Sequence, residues 1–245
     1  KCIMMEMLLF NFFGAEVDPT EIREKYIPAI DKVIEHIVRD TIDYQFDLLR
    51  FRQENRREDD DELADAFELF EKLTDLSMAP RAAGKCAWAR VDDKWADDDL
   101  RSNVKVFLAG ALEATTSYAA WAVSHLARNS EYQTRVFQEV ESVESFRTDA
   151  IDNAVNLQKV LRETLRLTPS LYFLPRRAVS DTWITLSDDS KMLLPAGTHI
   201  LLDVWHSNRI QEYWGEGTTG FDAEEFHPQR WDAIDGSGCS KDYLH

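Results

Sequence analysis

The stretch "LRETLRL" at residues 161–167 decides the fold of this chain, although it says little when taken alone. Glu163 and Arg166 stand three positions apart, so a helix places both side chains on one face, where they can form an ion pair. The helical pattern continues back to Asn153, and Pro169 ends it. Because an exposed pair of this kind contributes only about 0.3 kcal/mol, its meaning depends on the segments that flank it.

The segment after this helix changes to an extended pattern. The runs "TWITL" (182–186) and "KMLLP" (191–195) flank the turn-forming residues "SDDS", which predicts a β-hairpin. A third predicted strand, "THILLDVW", covers residues 198–205. The rest is expected to be loop, with the glycine-rich "WGEGTTG" at 214–220 and the aromatic "FHPQRW" at 226–231. We therefore expect a small β region near the C-terminal end.

A long helix is predicted upstream, from Asp98 to Arg128. At 1.5 Å per residue it extends for roughly 45 Å, and it is expected to cross the centre of a domain. The positions that follow its helical repeat are Leu100, Val104, Phe107, Ala111, Thr115, Ala119, Ala122 and Leu126. A glycine in mid-helix, Gly110, either lets a group approach the backbone closely or lets the helix deform.

This long helix also carries a polar notch formed by Glu113, Thr115 and Thr116. One interpretation places a carboxylate and two hydroxyl groups in a functional pocket. The alternative is an ordinary one: each threonine bonds back to the preceding turn, and Glu113 lies at the surface. The notch alone does not decide between these two interpretations.

The N-terminal half is also predicted to be helical. Residues 18–55 and 62–78 show apolar residues at helical spacing, and the charged run at 53–62 is expected to be a solvated linker. The apolar opening at 1–15 is expected to form a buried helix or strand, because it is too short for a membrane span of about 20 residues. A further helix is expected to begin with Ser130 as its N-cap.

Composition excludes several classes of partner. The 245 residues include 45 acidic and 28 basic ones, for a net charge of −17. This balance argues against nucleic acid and against an anionic membrane surface as partners. The three cysteines, Cys2, Cys86 and Cys239, are far apart and form neither a disulfide framework nor a zinc motif. We therefore expect reduced thiols in a protein that faces the cytosol.

Six motifs, taken in order, resemble the C-terminal half of a cytochrome P450, a heme-thiolate monooxygenase. They are "AGALEATT" (109–116), "ETLR" (163–166), "PRRAVSD" (175–181), "LPAGTHILLDVW" (194–205), "EYWG" (212–215) and "FHPQRW" (226–231). They are similar to the family's oxygen-binding helix, E-x-x-R helix, heme-flanking strand and P-E-R-F segment. Each motif is common by itself, but the six in this order and spacing are specific. The amino-acid sequences of the "LPAGTHILLDVW" and "WG" segments are most similar to those of fungal members.

The resemblance implies a fold class, which is mainly α with a small β region, in an incomplete cytochrome P450 fold. It implies one partial domain over residues 1–245. Helices at 1–94 would precede the central oxygen-binding helix at 95–130. The E-x-x-R helix, the β region and the P-E-R-F-like segment would follow at 131–245.

The resemblance also assigns roles to individual residues. Glu163, Arg166 and Arg230 would form a buried structural cluster that holds the segment beneath the heme. Arg176 would bind a heme propionate, and the small pair Gly110 and Ala111 would leave room for the cofactor. Glu113, Thr115 and Thr116 would lie over the heme and relay protons to bound oxygen.

Three positions depart from the family pattern. When Glu113 is matched to the acid of the oxygen-binding motif, Ala114 takes the place of the first threonine, and a shift by one residue matches Thr115 and Thr116 but loses the acid. Either register leaves the proton relay incomplete and leaves room for isomerase or peroxygenase-like chemistry. Gln229 stands where the family usually has Glu. The family's iron-binding cysteine lies in a loop of type F-x-x-G-x-R-x-C-x-G, and the flanks of Cys239, "GSGCSKDYLH", do not match it. We therefore expect Cys239 to be an ordinary loop thiol and the axial ligand to be missing from this chain.

The function implied is that of a fragment of a heme-thiolate monooxygenase that oxidises an apolar small molecule with O₂ and electrons from an NADPH-dependent reductase. The alternatives are a heme-free helical binding or scaffold protein and a catalytically inactive truncated product. Heme is the implied cofactor, no metal ligand is assigned, and no disulfide partner is expected. A full-length parent would lie on the cytosolic face of the endoplasmic reticulum membrane, whereas this chain, with no predicted membrane span, would be cytoplasmic.

Overall fold

A computed structural model describes residues 1–45, 60–82, 96–143 and 153–236 of the chain. The described part is mostly helical, with two small antiparallel sheets, which confirms the expected fold class. None of the helices in those ranges is both long enough and apolar enough to span a membrane. The charged run at 53–59 and the cysteines Cys86 and Cys239 lie outside the described residues.

The chain divides into two compact units, Lys1–Thr116 and Ser117–His245, and the boundary lies within the long helix. The helices of the first unit are α1 (Cys2–Met7), α2 (Pro19–Glu21), α3 (Ile27–Gln45), α4 (Asp60–Ala82) and the first part of α5 (Asp97–Arg128). Two π-helical turns, Leu8–Phe13 and Ile22–Tyr26, extend α1 and join α2 to α3. The apolar opening is thus helical, as one of the two expected forms has it, and it is buried along one face.

The core of the first unit follows the four-residue spacing of its helices. Met5, Leu9 and Phe13 are fully buried at successive turns. Asp18 begins the next helix, because its side chain accepts hydrogen bonds from the backbone N–H groups of Thr20 (2.7 Å) and Glu21 (3.2 Å). Asp18, the first residue of the predicted helical segment 18–55, therefore acts as an N-cap.

The long helix α5 has the predicted bounds to within one residue, but its buried stripe is shifted. Leu100 and Val104 are buried as predicted, whereas the next two buried positions are Leu108 and Leu112. Phe107, which the repeat placed in the core, is 40% exposed. A helical face admits steps of three or of four residues, and packing in the first unit selects the step of four.

The second unit contains the rest of α5, α6 (Ser130–Glu141) and α7 (Val155–Leu167). Ser130 is the first helical residue of α6, and the N-cap is Asn129, so the predicted cap was wrong by one position. The N-cap residue of α7 is Ala154, which forms no capping hydrogen bond through its side chain. Glu139 of α6 takes that role, because its carboxylate accepts from the backbone N–H groups of Asn156 and Leu157, both at 2.9 Å.

The β region consists of two separate pairs of strands. The predicted hairpin is confirmed as β2 (Thr182–Thr185) and β3 (Lys191–Leu194), in antiparallel register. The third predicted strand is β4 (His199–Asp203), and its partner is β1 (Phe173–Arg177), which the sequence pattern did not reveal. Pro175 and two arginines interrupt any alternation in β1, so its extended form comes from pairing with β4.

Residues 204–236, expected to be loop after the predicted strand ends at 205, contain four short helices in the structure. Their bounds are Val204–Ser207, Gln211–Trp214, Glu216–Thr219 and Arg230–Gly236. The hydrophobic cluster buried here is small and consists of Trp214, Ala223 and Trp231. The described part of this segment is instead held around the buried charged side chains of Arg166 and Arg230.

Candidate functional site

The carboxylate of Glu163 lies at the centre of a buried cluster and is fully inaccessible to solvent. Arg166 binds it through two parallel bonds, from NH2 to Oε1 (2.8 Å) and from Nε to Oε2 (3.0 Å). Arg230, 67 residues away in sequence, donates from Nε to Oε1 at 2.7 Å. The backbone N–H of His227 (3.0 Å) and Nε1 of Trp231 (3.2 Å) complete the set of donors. The structure thus brings together the three residues of the predicted cluster.

The two arginines also bind the backbone of the loop between residues 208 and 225. NH1 of Arg166 donates to the carbonyl groups of Asn208 (2.8 Å) and Ala223 (2.6 Å), and NH2 donates to that of Glu225 (3.1 Å). A guanidinium group has five N–H donors, and each donor of Arg166 has an acceptor. The loop is therefore wrapped around a fixed charge rather than around an apolar core.

Arg230 is satisfied in the same way. Its NH1 donates to the carbonyl of Trp214 and to Oγ1 of Thr219 (3.2 Å). Its NH2 donates to the carbonyl groups of Asp222 (2.7 Å) and Glu225 (2.9 Å). Burial lowers the pKa of Arg230, and Glu163 opposes that shift. One carboxylate and several carbonyl dipoles together balance two buried positive charges.

The end of α7 is tied to the same loop by two residues that the sequence analysis missed. Asn208 donates from Nδ2 to the carbonyl of Arg166 (3.0 Å), while Arg209 donates to the carbonyl of Leu167 and to Glu224 (3.0 Å). Carbonyl groups at a helix C-terminus lack partners within the helix. These residues supply the missing donors, but they stand about 40 positions away and carry no recognisable motif.

The polar notch of α5 lies in the first unit. Glu113 is half-exposed and forms an ion pair with Lys1, and Thr115 is exposed. The hydroxyl of Thr116 is buried, and no hydrogen-bond partner is described for it. A side-chain carbon added at Gly110 would meet nothing within 4 Å, so the backbone there is uncovered among the described residues, and Ala111 beside it is half-buried. That these residues line a pocket stays a prediction.

Arg176 lies on β1 with an exposed side chain. Its NH1 donates to the carbonyl of Pro175 at 2.9 Å, and within the described ranges it forms no ion pair. In the same ranges no group of three or more His, Cys, Asp or Glu residues is placed to hold a metal ion. Cys2 is half-buried and free, and the described part of the chain contains no other cysteine.

Comparison with known proteins places the sequence of this chain beside cytochromes P450. The family model "Cytochrome P450" matches residues 2–244. Cytochrome P450 monooxygenase FSL4 of Gibberella zeae is 30% identical over 172 residues, which cover 67% of this chain and 29% of that protein. Cytochrome P450 76A1 of Solanum melongena is 34% identical over 145 residues, covering 57% and 28% respectively.

A third relative, 5-epiaristolochene 1,3-dihydroxylase of Nicotiana tabacum, is 28% identical over 153 residues, covering 60% of this chain and 27% of that protein. The matches therefore span less than a third of the length of these relatives. The buried pairing of an E-x-x-R helix with the arginine of "FHPQRW", together with the family match over nearly the whole chain, shows that this chain belongs to the cytochrome P450 family.

Proposed function

We propose that this chain supplies the E-x-x-R scaffold and the oxygen-side helix of a heme-thiolate monooxygenase that acts on an apolar small molecule. The observation that carries the proposal is the buried cluster, in which Glu163 accepts from Arg166 and Arg230 and both guanidinium groups have all five donors bonded. Such an arrangement holds a long loop in one conformation, as a cofactor pocket requires. The cluster is therefore a scaffold and takes no part in chemistry.

Each unit, taken by itself, has a feature that suits heme. Arg176 is exposed and free of any described carboxylate, and its planar fork suits a propionate. The uncovered backbone at Gly110, with the small residue Ala111 beside it, could lie against a flat macrocycle. When bound, heme would supply the oxygen chemistry. The protein would bind and orient the heme and the substrate and would exclude water.

Proton delivery is the role we propose for the polar notch of α5. Glu113, Thr115 and Thr116 are the groups on this helix that can hold or pass a proton. The buried hydroxyl of Thr116, which lacks a described partner, is the strongest support, because buried polar groups normally have one. Ala114 removes one hydroxyl from the relay, which favours a variant of the usual oxygen chemistry, such as isomerase or peroxygenase-like reactions.

The finer assignments rest on the resemblance. We propose an NADPH-dependent reductase as the electron donor and the cytosolic face of the endoplasmic reticulum membrane as the location of a full-length parent. A fungal origin is supported by the Gibberella zeae relative. Relatives of similar identity come from Solanum melongena and Drosophila melanogaster, so the origin stays a prediction.

Two experiments test the proposed function. Heme is titrated into the chain by absorbance, and Arg176→Ala is expected to weaken binding while Arg177→Ala, its neighbour on β1, is not. Equal affinities would contradict the role of Arg176. In the second experiment, this chain replaces the matched segment of the Gibberella zeae relative, and the reduced chimera is examined with carbon monoxide. A thiolate-type Soret band is expected, and Glu163→Ala should abolish it.

The same spectrum on the isolated chain tests the interpretation of Cys239. A thiolate ligand needs a shaped, largely apolar pocket with hydrogen-bonded support, and the flanks "GSGCSKD" are polar. No thiolate-type band is therefore expected from the heme-supplemented chain. A band that disappears in Cys239→Ala would overturn this interpretation.

A heme-free binding protein is the second candidate. An open cavity of about 410 Å³ lies beside α7 and is lined by Leu165, Leu174, Leu202, Trp214, Trp231 and Arg162. The lining also includes the guanidinium group of Arg166, which is bound in the buried cluster, and the carboxylate of Asp203. The apolar part of the wall suits an apolar small molecule. Saturable binding of a fluorescent fatty acid, together with failure to bind heme, would favour this function over the first.

A further inference from the structure

A tyrosine on α6 contacts the segment 226–229 in a way that the family motifs do not account for. Tyr132 lies in the first turn of α6, just beyond the corner where α5 ends. At that corner Asn129 donates from Nδ2 to the carbonyl of His125 (2.8 Å) and from its backbone N to the carbonyl of Leu126 (3.1 Å). These bonds satisfy carbonyl groups at the end of α5. The corner thus holds Tyr132 at a fixed place.

Aromatic and polar contacts connect this corner to the segment. Phe226 stacks on the ring of His125, with centroids 4.4 Å apart and planes at 4°, and Tyr132 meets Phe226 edge-on at 6.0 Å. The hydroxyl of Tyr132 donates to Oε1 of Gln229 and lies 3.2 Å from Nδ1 of His227. Burial raises the pKa of the Tyr132 phenol, which keeps the phenol protonated and able to donate at neutral pH.

The same segment presents two donors to the carboxylate of Glu163. The backbone N–H of His227 (3.0 Å) and Nε of Arg230 (2.7 Å) both donate to its Oε1. We propose that Tyr132 is a positioning residue, which holds this segment through Gln229 and His227 in the register where both donors reach Glu163. The proposal goes beyond the proposed function and does not depend on heme binding.

Gln229, which departs from the family's usual Glu, has a physical reason at this place. Its amide oxygen accepts the phenol proton without adding a negative charge. The carboxylate of Glu225 already faces the other nitrogen of the His227 ring, with Oε2 at 3.0 Å from Nε2. A second carboxylate here would add repulsion between like charges.

Hydrogen exchange of the His227 backbone amide in the full chain tests the proposal, because exchange reports local opening of the bond to Glu163. Removal of the phenol oxygen in Tyr132→Phe is expected to speed exchange about three- to tenfold, the loss typical of one buried hydrogen bond. Gln229→Met should do the same. The double variant should exchange no faster than Tyr132→Phe, because that variant already loses the contacts with both Gln229 and His227.

The matched control is Tyr172→Phe, which removes a phenol oxygen from a half-exposed tyrosine of the same unit that packs edge-on against Trp205. It is expected to leave the His227 amide unchanged. Three results would each overturn the proposal: exchange in Tyr132→Phe within about twofold of the parent chain, equal acceleration of amides throughout α6 and α7, or additive effects of the two single variants. A failure to bind heme would contradict the proposed function but would not contradict the positioning role of Tyr132.

Discussion

Glu163→Gln is expected to lower the free energy of unfolding by about 3–5 kcal/mol, the usual cost of removing one partner from a buried ion pair. Glutamine keeps the shape of the side chain but replaces one carboxylate oxygen with an NH₂ group. If that group takes the place of Oε2, the donors of Arg166 Nε and Trp231 Nε1 lose their acceptor. Each buried donor left unsatisfied costs about 1–3 kcal/mol, so two of them account for the expected loss.

Urea unfolding followed by tryptophan fluorescence measures this loss, since Trp214 and Trp231 lie in the cluster. The matched control is Glu131→Gln. Glu131 pairs with Arg135 at 2.6 Å on α6, also on one helix face, but the two side chains are 69% and 46% exposed. Because solvent screens exposed ion pairs, Glu131→Gln should lower the free energy of unfolding by less than about 0.5 kcal/mol.

The reasoning would be refuted if Glu163→Gln lost less than about 1 kcal/mol while the slope of the unfolding free energy against urea stayed unchanged. Equal losses in Glu163→Gln and Glu131→Gln would have the same meaning. Either result would show that burial does not strengthen the pair and that the cluster does not hold the loop.

Three further predictions concern other parts of the molecule. Glu139→Ala should destabilise the chain by about 1–2 kcal/mol, as loss of a helix cap does. Glu139→Gln should destabilise it by less, because one acceptor oxygen remains. Equal urea midpoints for the parent chain and both variants would contradict the capping role. Gly110→Ala should raise the free energy of unfolding by about 0.5–1 kcal/mol, since alanine favours the helix and its methyl group meets open space; a lower melting temperature would show that the position is covered. Burial and the neighbouring Arg128 lower the pKa of His125 from 6.5, against an opposing effect of Glu163. The unfolded chain therefore binds the proton more readily, and the stability that neutral His125 contributes is present above pH 6.5 and is lost as pH falls from there through the folded-state pKa. His125→Phe, which keeps a ring against Phe226, should reduce the difference in urea midpoint between neutral and mildly acidic pH, and an unchanged difference would exclude this residue as its source.

Local patterns in the sequence were sufficient for most of the regular structure. The hairpin at 182–194, the long α5 and the helix with Glu163 and Arg166 on one face all follow from spacings of two to four residues. The contact of Glu163 with Arg230 could be expected only from the order of the family motifs, because no local rule relates residues 67 positions apart.

Tertiary structure alone decided which groups complete the site. Glu139 caps a helix that begins 16 residues later, and Tyr132 bonds to Gln229, which lies 97 residues away. None of these residues has a type or spacing that singles it out, since glutamate, tyrosine and glutamine are common on helix surfaces and in loops. Short-range periodicity determines the form of each element, because backbone bonds and side-chain faces repeat locally. Buried N–H and C=O groups take whichever partner the folded chain brings within reach, and that choice is made only when the elements pack.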